Sequence, residues 1–221
     1  MSRLHIADSG LFVAMGQPSN SRYKAVRRFA RRNDVTFVLP ERVYEELTVD
    51  DPDVEEMPID TAIDEGWATV AAPLEFSESV VSRVMDGGQR YIANTDDRPA
   101  DEVERADATL AALAAQRLSA GTATEVYILT TDIAAGEGAE TVLASEGYGD
   151  SVMFVNGFRF IEDLIAGGSW LLASLIRWKK TLESPRPLDV PRPPLRASSL
   201  RCLRGRGTAE AASPFLSPPG L

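Results

Sequence analysis

Residues 126–132 read VYILTTD: an apolar run, two small hydroxyl residues, then an acid. Residues 4–8, LHIAD, repeat the pattern in a shorter form. Short apolar runs bounded by turn-forming residues are read as buried strands. Each of these runs ends on an aspartate. In an open α/β sheet the ligand crevice lies beyond the carboxyl ends of the strands, so Asp8 and Asp132 are expected at that crevice. Aspartate also caps helix N-termini well. The two roles are compatible, and the Ser9-Gly10 pair after Asp8 permits a sharp turn.

Working outward, residues 35–39 (VTFVL), 67–74 (WATVAAPL) and 151–155 add three strand patterns to those at 3–7 and 125–130. Helical patterns separate them. One spans 19–34, with Ser19 or Ser21 as its cap. Another opens at Pro40, and a short one at 77–85 stops at Gly87-Gly88. The longest, 101–120, stops at Gly121; two more cover 138–146 and 160–165. Alternating strands and helices predict an α/β domain with a central, mainly parallel sheet of about five strands and helices on both faces.

Two further acids are singled out by helical wheels. In LPERVYEEL (39–47), Val43 and Leu47 define a buried face. At about 100° per residue Glu46 flanks that face, while Glu45 points nearly away. In RADATLAALAAQ (105–116), Asp107 shares a face with Val103, Leu110 and Ala114. A carboxylate on an apolar stripe is costly unless it is paired or bound to metal. Glu104, one turn earlier, is either a supporting partner or solvated.

Charge is unevenly spread. The chain of 221 residues has 23 Lys+Arg against 33 Asp+Glu, a net charge of −10. Nine basic and three acidic residues fall at 167–221, which leaves −16 on the first 166 residues. The only lysines are Lys24, Lys179 and Lys180. An acid-rich, lysine-poor domain repels itself unless salt screens it, and this composition fits a salt-in halophile. Arg22, Arg27, Arg28, Arg31 and Arg32 form the dense basic cluster of the core; Arg27, Arg28 and Arg31 are RNA-binding candidates.

His5 is the only histidine and Cys202 the only cysteine. A disulfide within the chain and a Cys/His zinc site are therefore excluded. His5 reads as a strand residue rather than a catalytic base. No signal peptide or membrane span is legible, so a cytoplasmic protein is expected. Residues 1–166 form the expected domain. Residues 167–221 begin with an apolar helical stretch and continue as a Pro-, Arg- and Ser-rich tail that reads as disordered.

The order strand-Asp, helix-Glu, helix-Asp, strand-Asp resembles the PIN-domain ribonuclease family. It is carried by IADSGLF, LPERVYEEL, RADATLAALAAQ and YILTTD, with FVNGFRFIEDLI (154–165) similar to the family's closing strand and helix. The resemblance implies a three-layer sandwich and an acidic pocket for Mg²⁺ or Mn²⁺. It implies that Asp8, Glu46, Asp107 and Asp132 are the metal-binding and catalytic acids, with Thr130 as an auxiliary hydroxyl. It also implies a ribonuclease, either of the toxin type, with a small antitoxin protein and a homodimer as partners, or an RNA-processing enzyme. The long acidic stretch at 50–66 departs from the small toxin-type members. A non-catalytic PIN-like module that binds nucleic acid or a protein is the alternative. A haloacid-dehalogenase-type phosphohydrolase would need a second aspartate where Gly10 stands. A receiver domain would need a lysine after a late strand.

Overall fold

The computed structural model describes residues 2–48, 57–103 and 105–167. Glu104, the acidic stretch at 50–56, and the terminal helix and tail expected after Gly167 lie outside the described residues.

Five strands form the sheet: β1 (Arg3–Ala7), β2 (Phe37–Leu39), β3 (Ala68–Val70), β4 (Glu125–Thr130) and β5 (Val152–Asn156). They lie in the order β3-β2-β1-β4-β5, and every pairing is parallel. β1 is central, with His5 opposite Phe37 on one side and Arg3–Ala7 opposite Glu125–Leu129 on the other. The chain builds outward from β1 through β2 to β3, then returns to lay β4 on the opposite side of β1. The strand order therefore reverses between β1 and β4, which makes their carboxyl ends the switch point where such sheets open a crevice.

Among the described residues, eight α-helices connect and flank these strands: α1 (Ser9–Met15), α2 (Ser21–Asn33), α3 (Glu41–Leu47), α4 (Pro58–Asp64), α5 (Ser79–Thr95), α6 (Arg105–Ser119), α7 (Ile133–Ser145) and α8 (Gly157–Ile165). α1, α2 and α8 pack together, as do α5, α6 and α7. The core centres on Trp67. Tyr23 meets its ring edge-on at 5.3 Å, Phe37 edge-on at 6.2 Å, and Phe12 stacks at 6.2 Å. Trp67 Nε1 donates to Glu65 at 2.9 Å, and Glu65 also pairs with Arg27 at 2.9 Å and Arg31 at 3.6 Å. Arg27 and Arg31 thus tie α2 to Glu65 at the end of α4; Arg31, like Arg28, is exposed.

Several boundaries differ from the sequence reading, each for a packing reason. α5 does not stop at Gly87-Gly88. It runs through both glycines because the helix packs there at close range: a β-carbon on Gly87 would lie 2.8 Å from Val142, and one on Gly88 3.5 Å from Ala108. α7 starts at Ile133 rather than at 138, and its Gly136 leaves room for the Phe154 ring. The 101–120 pattern divides into a 3₁₀ turn (Ala100–Glu102) and α6, because Val103 is extended. β2 is shorter than 35–39 since the Val35 N–H is taken by the Ala30 carbonyl at the end of α2. β3 is shorter than 67–74: Ala71 makes the last bond to Leu39, and Pro73 has no N–H to continue the ladder. α4 falls in the acidic stretch, where no helix was expected.

His5 is a strand residue, stacked on Tyr127 at 5.0 Å. Burial, with the Arg3 charge second, lowers its pKa from 6.5 to about 4. The unfolded chain therefore binds the proton more tightly. This contribution to stability is full above about pH 6.5 and lost as pH falls toward 4, up to about 3 kcal/mol. Denaturant titrations at neutral pH and near pH 4.5 should show a smaller acid-induced loss for His5→Phe than for the native chain. Equal losses would reject the assignment.

Candidate active site

The site is built at the ends of β1 and β4. The Asp8 N–H donates to the Leu129 carbonyl at 3.0 Å, extending the β1–β4 ladder one residue past the strand. Asp8 is then the N-cap of α1. Its Oδ1 accepts from the Ser9 N–H at 2.7 Å and from the Ser9 hydroxyl at 3.3 Å. A cap of this kind contributes about 1 kcal/mol. Its other oxygen, Oδ2, accepts from the Thr130 hydroxyl at 2.8 Å.

Thr130 is fully buried, and its single oxygen has two jobs. It donates to Asp8 and accepts from the Asp132 N–H at 3.0 Å. A hydroxyl has one proton and two lone pairs, so it can join two strand ends in this way where an apolar side chain could not. Asp132 is the N-cap of α7, with Oδ1 accepting from the Ala135 N–H at 3.0 Å. The positive end of the α7 dipole thus faces the same point.

Asp8 is only 4% exposed. Burial pushes its carboxyl above the usual range, against the opposing effect of hydrogen bonds from Thr130, Ser9 and Gly10. No ion pair among the described residues supplies a cation to it.

Two glycines allow the turns to approach this closely. A β-carbon on Gly10 would overlap Thr131 Oγ1 and lie 3.2 Å from Asp8 Oδ2. One on Gly157 would lie 3.1 Å from Thr131 Cγ2 and 3.3 Å from Leu11. Gly157 opens α8, capped by Asn156, whose side chain accepts from the Arg159 N–H at 3.1 Å. Asn156 pairs in register with Thr130. It is a third polar strand end beside the two aspartates, and the sequence reading did not single it out. The signal was present: VMFVN followed by a helix repeats the pattern of LHIAD and VYILTTD.

Glu46 and Asp107 lie on the helices expected. Val43 and Leu47 are buried and Glu46 is exposed on α3. Glu45 is also exposed and is held by Arg42 at 3.0 Å. α3 leaves the end of β2 and packs against α1 and α6. Asp107 is half-buried in the first turn of α6, with Val103, Leu110 and Ala114 buried as the wheel predicts. Because α6 runs back to the start of β4, its first turn lies at the carboxyl edge of the sheet. The structure joins Asp8 and Asp132 through Thr130. Among the described residues no group of three or more His, Cys, Asp or Glu is placed to hold a metal ion, so Glu46 and Asp107 are not gathered with them into such a set.

No helix among the described residues is long and apolar enough to cross a membrane. No curated protein and no solved structure matches the chain. The family model of the halobacterial PIN domain matches residues 1–167. With the parallel five-stranded sheet and the acids at its switch point, that match shows that the chain belongs to the halobacterial PIN-domain family.

Proposed function

We propose that this protein is a cytoplasmic, metal-dependent endoribonuclease whose centre is the Asp8–Thr130–Asp132 unit. One observation carries the reading: Asp8 is a nearly buried carboxylate at the sheet's switch point, and its hydrogen-bond donors among the described residues are neutral. A buried charge without a counter-charge is destabilising. An arrangement that keeps one at the ligand crevice is suited to a cation. The donors on offer are oxygens, the set preferred by Mg²⁺ and Mn²⁺.

In this reading Asp8 and Asp132 hold the ion directly, and Glu46 and Asp107 complete the site directly or through water. When bound, Mg²⁺ or Mn²⁺ supplies an acidified water and neutralises charge on the scissile phosphate. Thr130 fixes the orientation of Asp8 and the position of the Asp132 backbone. The α7 N-terminus favours the negative charge of the phosphate. No histidine is required, in keeping with His5 being stacked inside β1.

A second reading, a PIN-like module that binds nucleic acid or a protein without cleaving, draws support from the absence of a three-acid metal group among the described residues. Cleavage of single-stranded RNA with Mn²⁺ in molar KCl separates the two. Glu46→Gln and Asp107→Asn should each lower the rate on the order of 10²-fold. A native chain that binds RNA without cleaving it would favour the second reading.

A further inference from the structure

The carboxyl edge of the sheet continues past Asp8 toward β2 and β3. There a cavity of about 270 Å³ opens between the turns after these strands and the first turns of α6. Its lining includes the apolar side chains of Leu74, Met85 and Leu113, together with Phe76, Arg42 and Arg105. Leu113 and Met85 are buried, so they form its base. Arg42 and Arg105 are exposed, and Phe76 is 55% exposed despite its size. Glu41 also lines the cavity.

We propose that this groove holds one nucleotide of a single-stranded polynucleotide whose neighbouring phosphate lies at Asp8 and Asp132. The proposal rests on the endonuclease reading for its orientation and adds a binding subsite to it. Proteins that hold single strands combine cationic groups along the backbone path with an aromatic face on which a base stacks. Phe76 offers that face and the two guanidiniums offer the charge, in a chain that is otherwise strongly acidic. An apolar segment of a protein partner would satisfy Phe76 but offer nothing to the Arg105 guanidinium.

Size and placement agree. The cavity is close to the lower end of the range for small-molecule sites, about 300 Å³. β1 and β3 are separated by two strand spacings, roughly 10 Å, so one strand of nucleic acid can touch both places. The loop bearing Phe76 is fixed rather than loose. The Glu75 N–H donates to Gln116 at 2.9 Å, and the Ser82 hydroxyl donates to the Phe76 carbonyl at 2.9 Å. Arg42 is held by the exposed Glu45 at 3.0 Å, a weak pairing that a phosphate can displace. Stacking requires an unpaired base, which selects single strands over duplexes.

Binding of a labelled 2′-O-methyl oligoribonucleotide, followed by anisotropy in molar KCl with EDTA, tests this without any cleavage. Phe76→Ala should weaken binding by about tenfold, and Arg105→Gln should weaken it by less, because molar salt screens an exposed charge. Phe76→Trp should retain binding, with its fluorescence quenched by the oligonucleotide, and a duplex of the same sequence should bind more weakly. Both side chains are exposed, so the variants should fold. Unchanged oligonucleotide affinity in both variants would overturn the proposal. A chain that binds in this way but never cleaves RNA would keep the subsite and reject the ribonuclease reading. Cleavage with KM unaffected by either substitution would reject the subsite alone.

Discussion

Asp8→Asn should lower RNA cleavage on the order of 10³-fold while leaving the metal-free protein at least as stable as the native chain. Both halves follow from the same environment. Burial raises the Asp8 pKa in the folded state. A raised carboxyl pKa means that the folded protein holds the proton more tightly than the unfolded chain. Its contribution to stability is present in acid and lost as pH rises through the folded-state value, so the ionised form opposes folding. Asparagine removes that charge and keeps an acceptor for the Ser9 N–H. Its amide can donate to Thr130, whose oxygen has the lone pairs to receive it. Ordinary loss of a buried polar contact would instead lower the melting temperature.

Metal should reverse the comparison. Mn²⁺ in hundredfold excess over its Kd stabilises a folded protein by about 2.7 kcal/mol, so it should raise the melting temperature of the native chain. It should do little for Asp8→Asn. Equal thermal shifts in both proteins, checked by scanning fluorimetry, would remove Asp8 from the metal site.

Gly10→Ala is the second large effect. Gly10 lies in the first turn of α1, where alanine is a better helix former by about 1 kcal/mol. Propensity alone therefore predicts a gain. The added β-carbon, however, would occupy the position of Thr131 Oγ1 and come within 3.2 Å of Asp8 Oδ2. Overpacking of this kind costs about 1–3 kcal/mol, and the helix gain does not offset the upper part of that range. The functional cost should exceed the stability cost. Thr131 sits between Thr130 and Asp132, so displacing it separates the two strand ends that hold the site. Misplacement by about 1 Å can cost 10²-fold in rate.

A double-mutant cycle makes this specific. Thr131→Ala removes the overlapping hydroxyl, and in the Gly10→Ala background it should recover most of the stability and rate. Gly10→Ala with native stability and rate would show that the two turns are not in the contact described. A loss that Thr131→Ala does not relieve would show the same.

The carboxyl ends of β1 and β4 were legible because strand ends leave local marks. LHIAD and VYILTTD each carry an apolar run and a terminal acid within a few residues, and the wheel through Val43 and Leu47 needs only one helix. The features that escaped depend on partners distant in sequence. Gly87 and Gly88 read as a stop because Val142 and Ala108, which pack against them, cannot be inferred from residues 77–95. The pairing of Arg27 and Arg31 with Glu65, which belongs to the acidic stretch before β3, is likewise not legible from residues 22–32 alone. The Thr130 bridge needed the parallel register of β1 with β4. Asn156 escaped for a simpler reason: an amide carries no charge, so a strand-end Asn stands out less than a strand-end acid.

Asp8 and Asp132, joined through Thr130, are the proposed metal-dependent centre for RNA hydrolysis. The most direct measurement compares cleavage of single-stranded RNA by the native chain and Asp8→Asn, each with Mn²⁺ and with EDTA, in molar KCl. The predicted result is cleavage by the native chain with Mn²⁺ and by none of the other three combinations. Undiminished cleavage by Asp8→Asn, or by the native chain in EDTA, would contradict it.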